Sequence, residues 1–479
     1  MNRFAEITLA LVIVGVTLAF GGVQPISYSL MEVVLFLVTL IIVVRQTLQG
    51  EVRLPVPIWP VLFALFVALQ LIPLPTWLVG AISPARLADT KIAGLEPASP
   101  GWMTLSIYPH DTLRTLMRFL AYLAGFLVAA KVFDYRKEKS TLLRVLILLG
   151  CFEAGYGIVQ YTTGWQKIFT YVKKYDLDEA TGTYINRNHY AGLLELVLPL
   201  VLASVFYSFQ VWSGRRHPLE HSRRASSERS PAAYQAIFYL FLLVLIVVGV
   251  MFSRSRMGIL VTVFSLVFLA VLAQLRLRRK IWMLGVFFFL VLVLGYGLWI
   301  GLNPVLARFE SVRDPNYLQM EGRAAIWKDT LQLIRDFPLT GTGLGTFGVA
   351  YRKYQKTLVQ STVDHTHNDF LEFASDTGLV GVLLLFLPIF YLLGKMVGAF
   401  LGDSRGYRRA VILGCIGSTV GLLLHSITDF NLQIPANALI FSTILGIGYK
   451  AASVEYRGED HRGSVQPMGT ASGNSKIQI

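Results

Sequence analysis

Long apolar stretches set the rhythm of this chain, with short polar intervals between them. Runs of hydrophobic residues fall at about 5–22, 27–44, 58–80, 115–133, 142–163, 189–212, 236–252, 257–275, 281–301, 378–400, 409–427 and 434–450. Each is near the ~20 residues that a helix needs to cross a bilayer. The pattern predicts an all-α, polytopic membrane protein of about twelve transmembrane helices. Four runs carry irregularities. The third has Pro73 and Pro75 near its end, the seventh and eighth are short, and the sixth contains Pro199 and Glu195. Proline is tolerated within spans, whereas a lone intramembrane carboxylate is costly enough to mark Glu195 as a functional candidate.

The polar intervals orient the spans. Lys and Arg collect at Arg3, Arg45 and Arg53, between Lys131 and Arg144, in Arg215–Arg229, in Arg276–Lys280, between Lys395 and Arg409, and in the tail. Short loops rich in Lys and Arg stay in the cytoplasm, so both termini are placed there. The chain then divides into 1–301 (runs one to nine, with a basic cytoplasmic loop at 213–235), a large outer loop at 302–377, runs ten to twelve at 378–450 and a polar cytoplasmic tail at 451–479. The basic loop and the tail have no apolar periodicity and read as flexible segments at an anionic leaflet surface. No internal repeat is visible.

Composition supports the membrane reading: 54% of the 479 residues are hydrophobic, only 15% are charged, and mean hydropathy is +0.56. Soluble domains carry roughly 25% charged residues. The net charge of +14 would fit nucleic acid, but its placement on cytoplasmic loops fits membrane lipids instead. Cys151 and Cys415 lie inside apolar runs and imply neither a disulfide nor a metal site. The first run lacks a small-x-small cleavage pattern and reads as a span rather than a cleaved signal.

The densest chemistry lies just ahead of run ten, in His365-Thr366-His367-Asn368-Asp369-Phe370-Leu371-Glu372. If a helix starts at Asn368, His367 sits at its N-terminus, beside unpaired backbone N–H groups and the positive end of the dipole, where an anion is favoured. A second reading makes His365 and His367 local helix caps. A metal reading with His365, His367 and Asp369 lacks a further ligand cluster. At the outer mouth of run six, Arg187 in Asn186-Arg187-Asn188-His189 either snorkels to headgroups or grips a phosphate bidentately, with Asn188 and His189 orienting it. Ser253-Arg254-Ser255-Arg256 places two arginines between two apolar runs. At least one of them should face a polar cavity and an anion, because charge beside hydrocarbon is expensive.

Arg323, in Gly322-Arg323 with Trp327, opens a loop helix whose residues Ile326, Thr330, Leu331 and Ile334 share a face, and it is a further anion contact. His425 and Asp429, four residues apart at the end of run eleven, read as a mutually satisfied pair, with membership of the active cavity as the rival view. Pro338-Leu339-Thr340-Gly341-Thr342-Gly343-Leu344-Gly345 has no preceding strand and no GK[ST], so a tight irregular turn accounts for it better than a nucleotide loop. Arginines that neutralise a pyrophosphate and a histidine that takes a proton from a hydroxyl suit a lipid-pyrophosphate donor and a hydroxyl acceptor.

These motifs together resemble the O-antigen ligase family, which includes Wzy-type polysaccharide polymerases. His367-Asn368, followed after nine residues by Gly378-Leu379-Val380-Gly381, reproduces its H-[NSQ]-x9-G-x-x-G pattern. The Arg187-Asn188-His189-Tyr190 entry to run six, the Ser-Arg-Ser-Arg junction, Gly322-Arg323 with Trp327, and the glycine turn ending at Phe347 follow in the family's order. The resemblance implies a C-type glycosyltransferase fold with a large periplasmic loop in the bacterial inner membrane. It implies inverting, metal-independent transfer without a cofactor, from undecaprenyl pyrophosphate to lipid A-core in a ligase or to a growing glycan in a polymerase. Arg187 and one of Arg254 and Arg256 would then bind the pyrophosphate. His367 would bind or deprotonate the acceptor, with His365, Asn368, His189, Arg323, His425 and Asp429 around it. An anion transporter is the reading from another class, and the gathering of charges at one face argues against it.

Overall fold

The computed structural model describes residues 2–50, 58–92, 101–134, 140–213, 229–277, 322–356, 362–402 and 406–453. In chain order the helices are α1 (Asn2–Leu18), α2 (Pro25–Leu48), α3 (Ile58–Leu71), α4 (Thr76–Ile82), α5 (Pro84–Ile92), α6 (Pro109–Val132), α7 (Thr141–Thr163), α8 (Arg187–Trp212), α9 (Arg229–Ser253) and α10 (Arg256–Leu277). After them come α11 (Arg323–Asp336), the one-turn α12 (Phe347–Ala350), α13 (Asp369–Leu401), α14 (Gly406–His425) and α15 (Pro435–Ser453). The strands among the described residues are two-residue pairs, Leu74–Pro75 with Trp102–Met103 and Lys167–Ile168 with Tyr171–Val172.

Eight of the described helices are long and apolar enough to cross a membrane: α2, α6, α7, α8, α9, α10, α13 and α14. Run nine, most of the basic loop at 213–235, the first part of the long loop at 302–377 and the tail beyond Ser453 lie outside the described residues. Two expectations are corrected. Run three is not one helix, because α3 stops at Leu71 ahead of Pro73 and the chain restarts as α4 after a two-residue strand. On α11 the buried positions are Ile326, Asp329, Thr330 and Leu333, while Leu331 is exposed, so the packed face is rotated from the expected one.

α8 is the axis of the bundle. Every residue from His189 to Ala203 is buried, as expected for a helix that is apolar all round. α7, α9, α10, α14 and α15 pack against it. The peripheral α2 instead buries only Tyr28, Met31, Leu35, Val38, Ile42 and Gln46, a three- and four-residue stripe that leaves its other faces outward. The starts of α6, α8, α10, α13 and α15 and the ends of α7, α9 and α14 meet at one end of the bundle, the site end. The loop before α8 is tied down there from within. Glu153 of α7 accepts from the Thr183 backbone (2.8 Å) and hydroxyl (2.7 Å), and Gln160 donates to the carbonyls of Lys167 and Gly182 (both 2.9 Å).

α13 begins nine residues before its apolar run and breaks at Gly378 (φ 59°, ψ −169°). The glycine turn plugs this break. Leu379 N–H donates to the Pro338 carbonyl (2.8 Å), Thr342 N–H to that of Ser375 (2.9 Å), and Gly343 N–H to that of Asp376 (2.8 Å). Gln70 of α3 clamps both sides, donating to the Thr340 carbonyl (2.7 Å) and accepting from Leu344 N–H (3.1 Å). The backbone groups freed by the kink are therefore satisfied by another segment, as a membrane interior demands. At both Gly378 and Gly341 a Cβ would strike facing backbone, that of Leu339–Thr340 and Asp376–Thr377 respectively, on a positive φ.

Gly378→Ala should therefore lower the melting temperature of the purified protein substantially, a loss of about 1–3 kcal/mol for the backbone alone. Gly394→Ala, in open space on the same helix, should be near neutral. Equal melting temperatures for the two variants, read by intrinsic fluorescence in detergent, would contradict the plugged-break account.

Candidate functional site

The site is built around one buried carboxylate. Asp429, 1% exposed, follows the end of α14 and is held there by its own N–H on the His425 carbonyl (3.1 Å). Its Oδ1 lies 3.5 Å from Nε2 of His189, at the start of α8, and 3.7 Å from Nδ1 of His367. Its Oδ2 lies 3.9 Å from Arg323, whose other nitrogen donates to the Thr428 carbonyl (2.9 Å). Burial alone would raise the Asp429 pKa. The two histidines and Arg323 outweigh it and hold the group well below the usual carboxylate range, so Asp429 is an anion at neutral pH. Neither His189 Nε2 nor His367 Nδ1 has a hydrogen-bond partner among the described residues, so both hold unspent capacity at the carboxylate.

His367 sits there through local backbone design. Its φ is +53°, and Asn368 then caps α13 by accepting from Leu371 N–H (3.1 Å). Thr366 Oγ1 donates to the Asn368 carbonyl (2.6 Å), and its own carbonyl accepts from Trp327 Nε1 of α11 (2.9 Å). The expected helix start is therefore present, with Asn368 as the cap and His367 just outside it. The His367 side chain stays 32% exposed and open to a partner from solvent.

Three imidazoles surround the Phe430 ring: His365 stacks on it (4.1 Å, 14°), and His189 and His367 meet it edge-on at 4.6 and 4.9 Å. His365 Nδ1 bonds Glu372 Oε1 (2.7 Å), and Glu372 Oε2 accepts from Thr366 N–H (2.9 Å). Burial works against the charged imidazole of His365, but the Glu372 carboxylate more than offsets it and raises the pKa above the ordinary value. Asp369 fastens the three segments, accepting from the Ser426 hydroxyl (2.7 Å) and Leu432 N–H (3.0 Å) while its own N–H donates to the Ser426 carbonyl (2.9 Å).

The structure thus brings His189, His365, His367, Asn368, Arg323 and Asp429 together. The expected pairing of His425 with Asp429 is overturned. The His425 imidazole turns into the bundle, where its Nδ1 bonds Glu195 Oε2 (2.9 Å), both side chains being fully buried, and Asp429 turns instead to the other histidines. Arg187 stands one residue from Asn188 at the first turn of α8, but its guanidinium binds Glu179 (2.5 Å) and Asp176 (3.5 Å) of the preceding loop. Arg254 (φ 52°) leans over the Tyr161 ring (5.4 Å) and donates to its hydroxyl (3.2 Å), leaving Nε without a partner among the described residues. Arg256 opens α10, whose Gly258 packs on Ala191 of α8, so the Ser-Arg-Ser-Arg junction abuts the same helix start. In the sequence Glu372 and Phe430 carry no expected role, and Asp369 enters only as a candidate metal ligand. Their partners come from three different helix ends, which spacing along one segment does not reveal. No group of three or more metal-ligating side chains capable of holding an ion occurs among the described residues.

Residues 241–386 match the family model described as O-antigen ligase (Wzy_C). This segment of the chain is therefore similar to the O-antigen ligase family. No curated protein matches the chain. The matched segment spans much of α9, the arginine junction, Arg323, His365–Asn368 and the break at Gly378. His189 and Asp429 lie outside it, so the folded chain completes the constellation from both sides of the matched segment.

The His365–Glu372 pair sets a pH test. Because the folded pKa of His365 is raised, the pair stabilises the fold fully below the ordinary histidine pKa of about 6.5 and loses that contribution as pH rises through the raised value. His365→Gln keeps a donor for Glu372 but no charge. Its melting temperature should fall further below wild type at pH 6 than at pH 9, and a deficit that grows with pH would contradict the pairing.

Proposed function

We propose that this protein is a glycosyltransferase of the bacterial inner membrane, working at the periplasmic face. It moves a glycan from undecaprenyl pyrophosphate to an acceptor hydroxyl, as an O-antigen ligase acting on lipid A-core. The observation that carries this reading is the Asp429 carboxylate shared by His189, His367 and Arg323 at the end of an apolar bundle, in a chain matched by the ligase family model. His367 faces Asp429 through Nδ1, which leaves Nε2 for the acceptor. As the acceptor oxygen attacks the anomeric carbon, its proton passes to His367. The new C–O bond forms while the anomeric C–O bond to pyrophosphate breaks, and a single displacement of this kind inverts the anomeric centre. Arg323 and Arg254, with Arg256 beside it, stabilise the charge that develops on the leaving pyrophosphate. Arg187, neutralised by Glu179 and Asp176, orders the wall of the donor site. Metal is not required where three cationic side chains meet the leaving group.

A polymerase would use the same donor chemistry with a growing glycan as acceptor. The purified protein, supplied with an undecaprenyl-pyrophosphate-linked glycan with and without lipid A-core, separates the two readings on a gel. Glycan on lipid A-core is the expected product. A ladder of longer glycan on undecaprenyl pyrophosphate, formed without lipid A-core, would replace ligase by polymerase. No product from several donors, with anion flux in liposomes, would replace both by transport.

Removing the Arg323 charge should slow transfer about 10²-fold, the usual cost of one preorganised group at a developing anion. Arg323→Gln turning over at the wild-type rate, with product formation followed in single turnover, would remove it from the leaving-group role.

A further inference from the structure

Away from the histidines, four helices close into a ring. α3 packs on α6 and α13, and α15 packs on the same two, so each helix touches its neighbours around an open centre. That centre is a cavity of about 220 Å³ walled by apolar and aromatic side chains such as Phe63, Phe119, Leu385 and Phe441. It runs from Thr115 to Phe126 along α6, about 16 Å at 1.5 Å per residue. An apolar cavity is a poor host for water, and a hydrocarbon chain is the matching occupant.

Two charged side chains line the cavity, Lys395 of α13 and, nearer the site end, Arg118 of α6. Arg118 has a buried Nε without a partner among the described residues, donates to the Thr115 hydroxyl (3.1 Å) and lies over the Tyr28 ring (4.9 Å). Among the described residues it forms no ion pair. Arg114 binds the Tyr28 hydroxyl beside it, and Glu32, on the same helix as Tyr28, has no hydrogen-bond partner on Oε1 among the described residues. An arginine in such a position is stabilised by an anion. The same mouth includes Leu432 and Gln433. Leu432 N–H is bound to Asp369, and Phe430 is two residues away, so an amphiphile seated in the ring holds its head beside the histidine cluster. Of the arginines assigned to the pyrophosphate leaving group, Arg254 and Arg256 stand at the α9–α10 junction and Arg323 on α11, so none lies on the four ring helices. Transfer between two membrane-anchored substrates requires two such approaches.

We propose that the ring of α3, α6, α13 and α15 anchors the acceptor lipid by drawing one of its hydrocarbon chains into the lumen, with a phosphate of that lipid on Arg118. This rests on the glycan-transfer reading for the identity of the lipid. The lumen admits one chain, and the remaining chains of a multi-acyl lipid stay in the bilayer outside. Trp59 and Tyr391, both lining the ring and both substantially exposed, mark where the lumen opens to lipid.

The test is a binding measurement that needs no turnover. The full chain is placed in nanodiscs with lipid A carrying one diazirine-labelled acyl chain, irradiated, and the labelled peptides are mapped by mass spectrometry. Label is expected on lumen-facing positions of α3, α13 and α15, competed by unlabelled lipid A but not by phosphatidylglycerol. Ser442→Trp, which fills the lumen, should reduce it about tenfold. Arg118→Gln should reduce it about fivefold, whereas Arg118→Lys should retain most of it. Unchanged melting temperatures show that these variants remain folded. Uniform labelling of all lipid-facing helices, or labelling insensitive to Ser442→Trp, overturns the proposal. Equal competition by phosphatidylglycerol makes the lumen a structural lipid site, and competition by an isoprenyl phosphate alone makes it the carrier's site; either overturns the acceptor assignment. Specific labelling in a protein that transfers no glycan would sink the catalytic reading while leaving the lipid site in place.

Discussion

A carboxylate taken out of water must be compensated, and Asp429 is where this protein meets that demand. An isolated buried charge costs several kcal/mol, so the histidines of α8 and of the α13 approach and the arginine of α11 converge on it. That convergence joins three parts of the chain that are distant in sequence. The rest of the site end follows from it: Phe430 gathers the three imidazoles because it is the next residue, and Asp369 secures the turn by bonding Ser426 on one side of Asp429 and Leu432 on the other. The same carboxylate gives the cluster its chemistry, since it leaves His367 with one nitrogen toward an anion and the other toward solvent.

The second constraint is the membrane itself. Backbone polar groups inside hydrocarbon must be satisfied by protein, and the break at Gly378 meets this requirement with the glycine turn. The break lets the first turns of α13 carry a polar, site-forming sequence while the remainder serves as an apolar span. It also places α13 against α3, and so encloses the ring of helices beside the site. The geometry of the candidate site and the lipid-sized lumen thus depend on the same joint.

Much of this was legible along the chain because a bilayer writes its helices as apolar runs. α7, α8 and α14 fall within a few residues of their runs. What was hidden has physical causes. The polar first turns of α13 add no hydropathy, so its true start at Asp369 escapes that measure. Pro73 and Pro75 sit inside an otherwise continuous run and end a helix there. In the site, the histidine motif and its capping asparagine were readable because helix starts have local chemistry. The His425–Glu195 bond was not, because its partners are 230 positions apart and four-residue spacing favoured Asp429 instead. Arg187 was read for its charge, and Glu179 and Asp176, only a short loop away, neutralise it.

The proposed mechanism turns on His367 accepting the proton of the attacking hydroxyl. The most direct measurement is single-turnover glycan transfer by His367→Ala, with and without added imidazole. The claim predicts a rate reduced about 10²–10⁴-fold that rises in proportion to imidazole concentration, because a free base can enter the space left beside Asp429. Transfer by His367→Ala at the wild-type rate would contradict it.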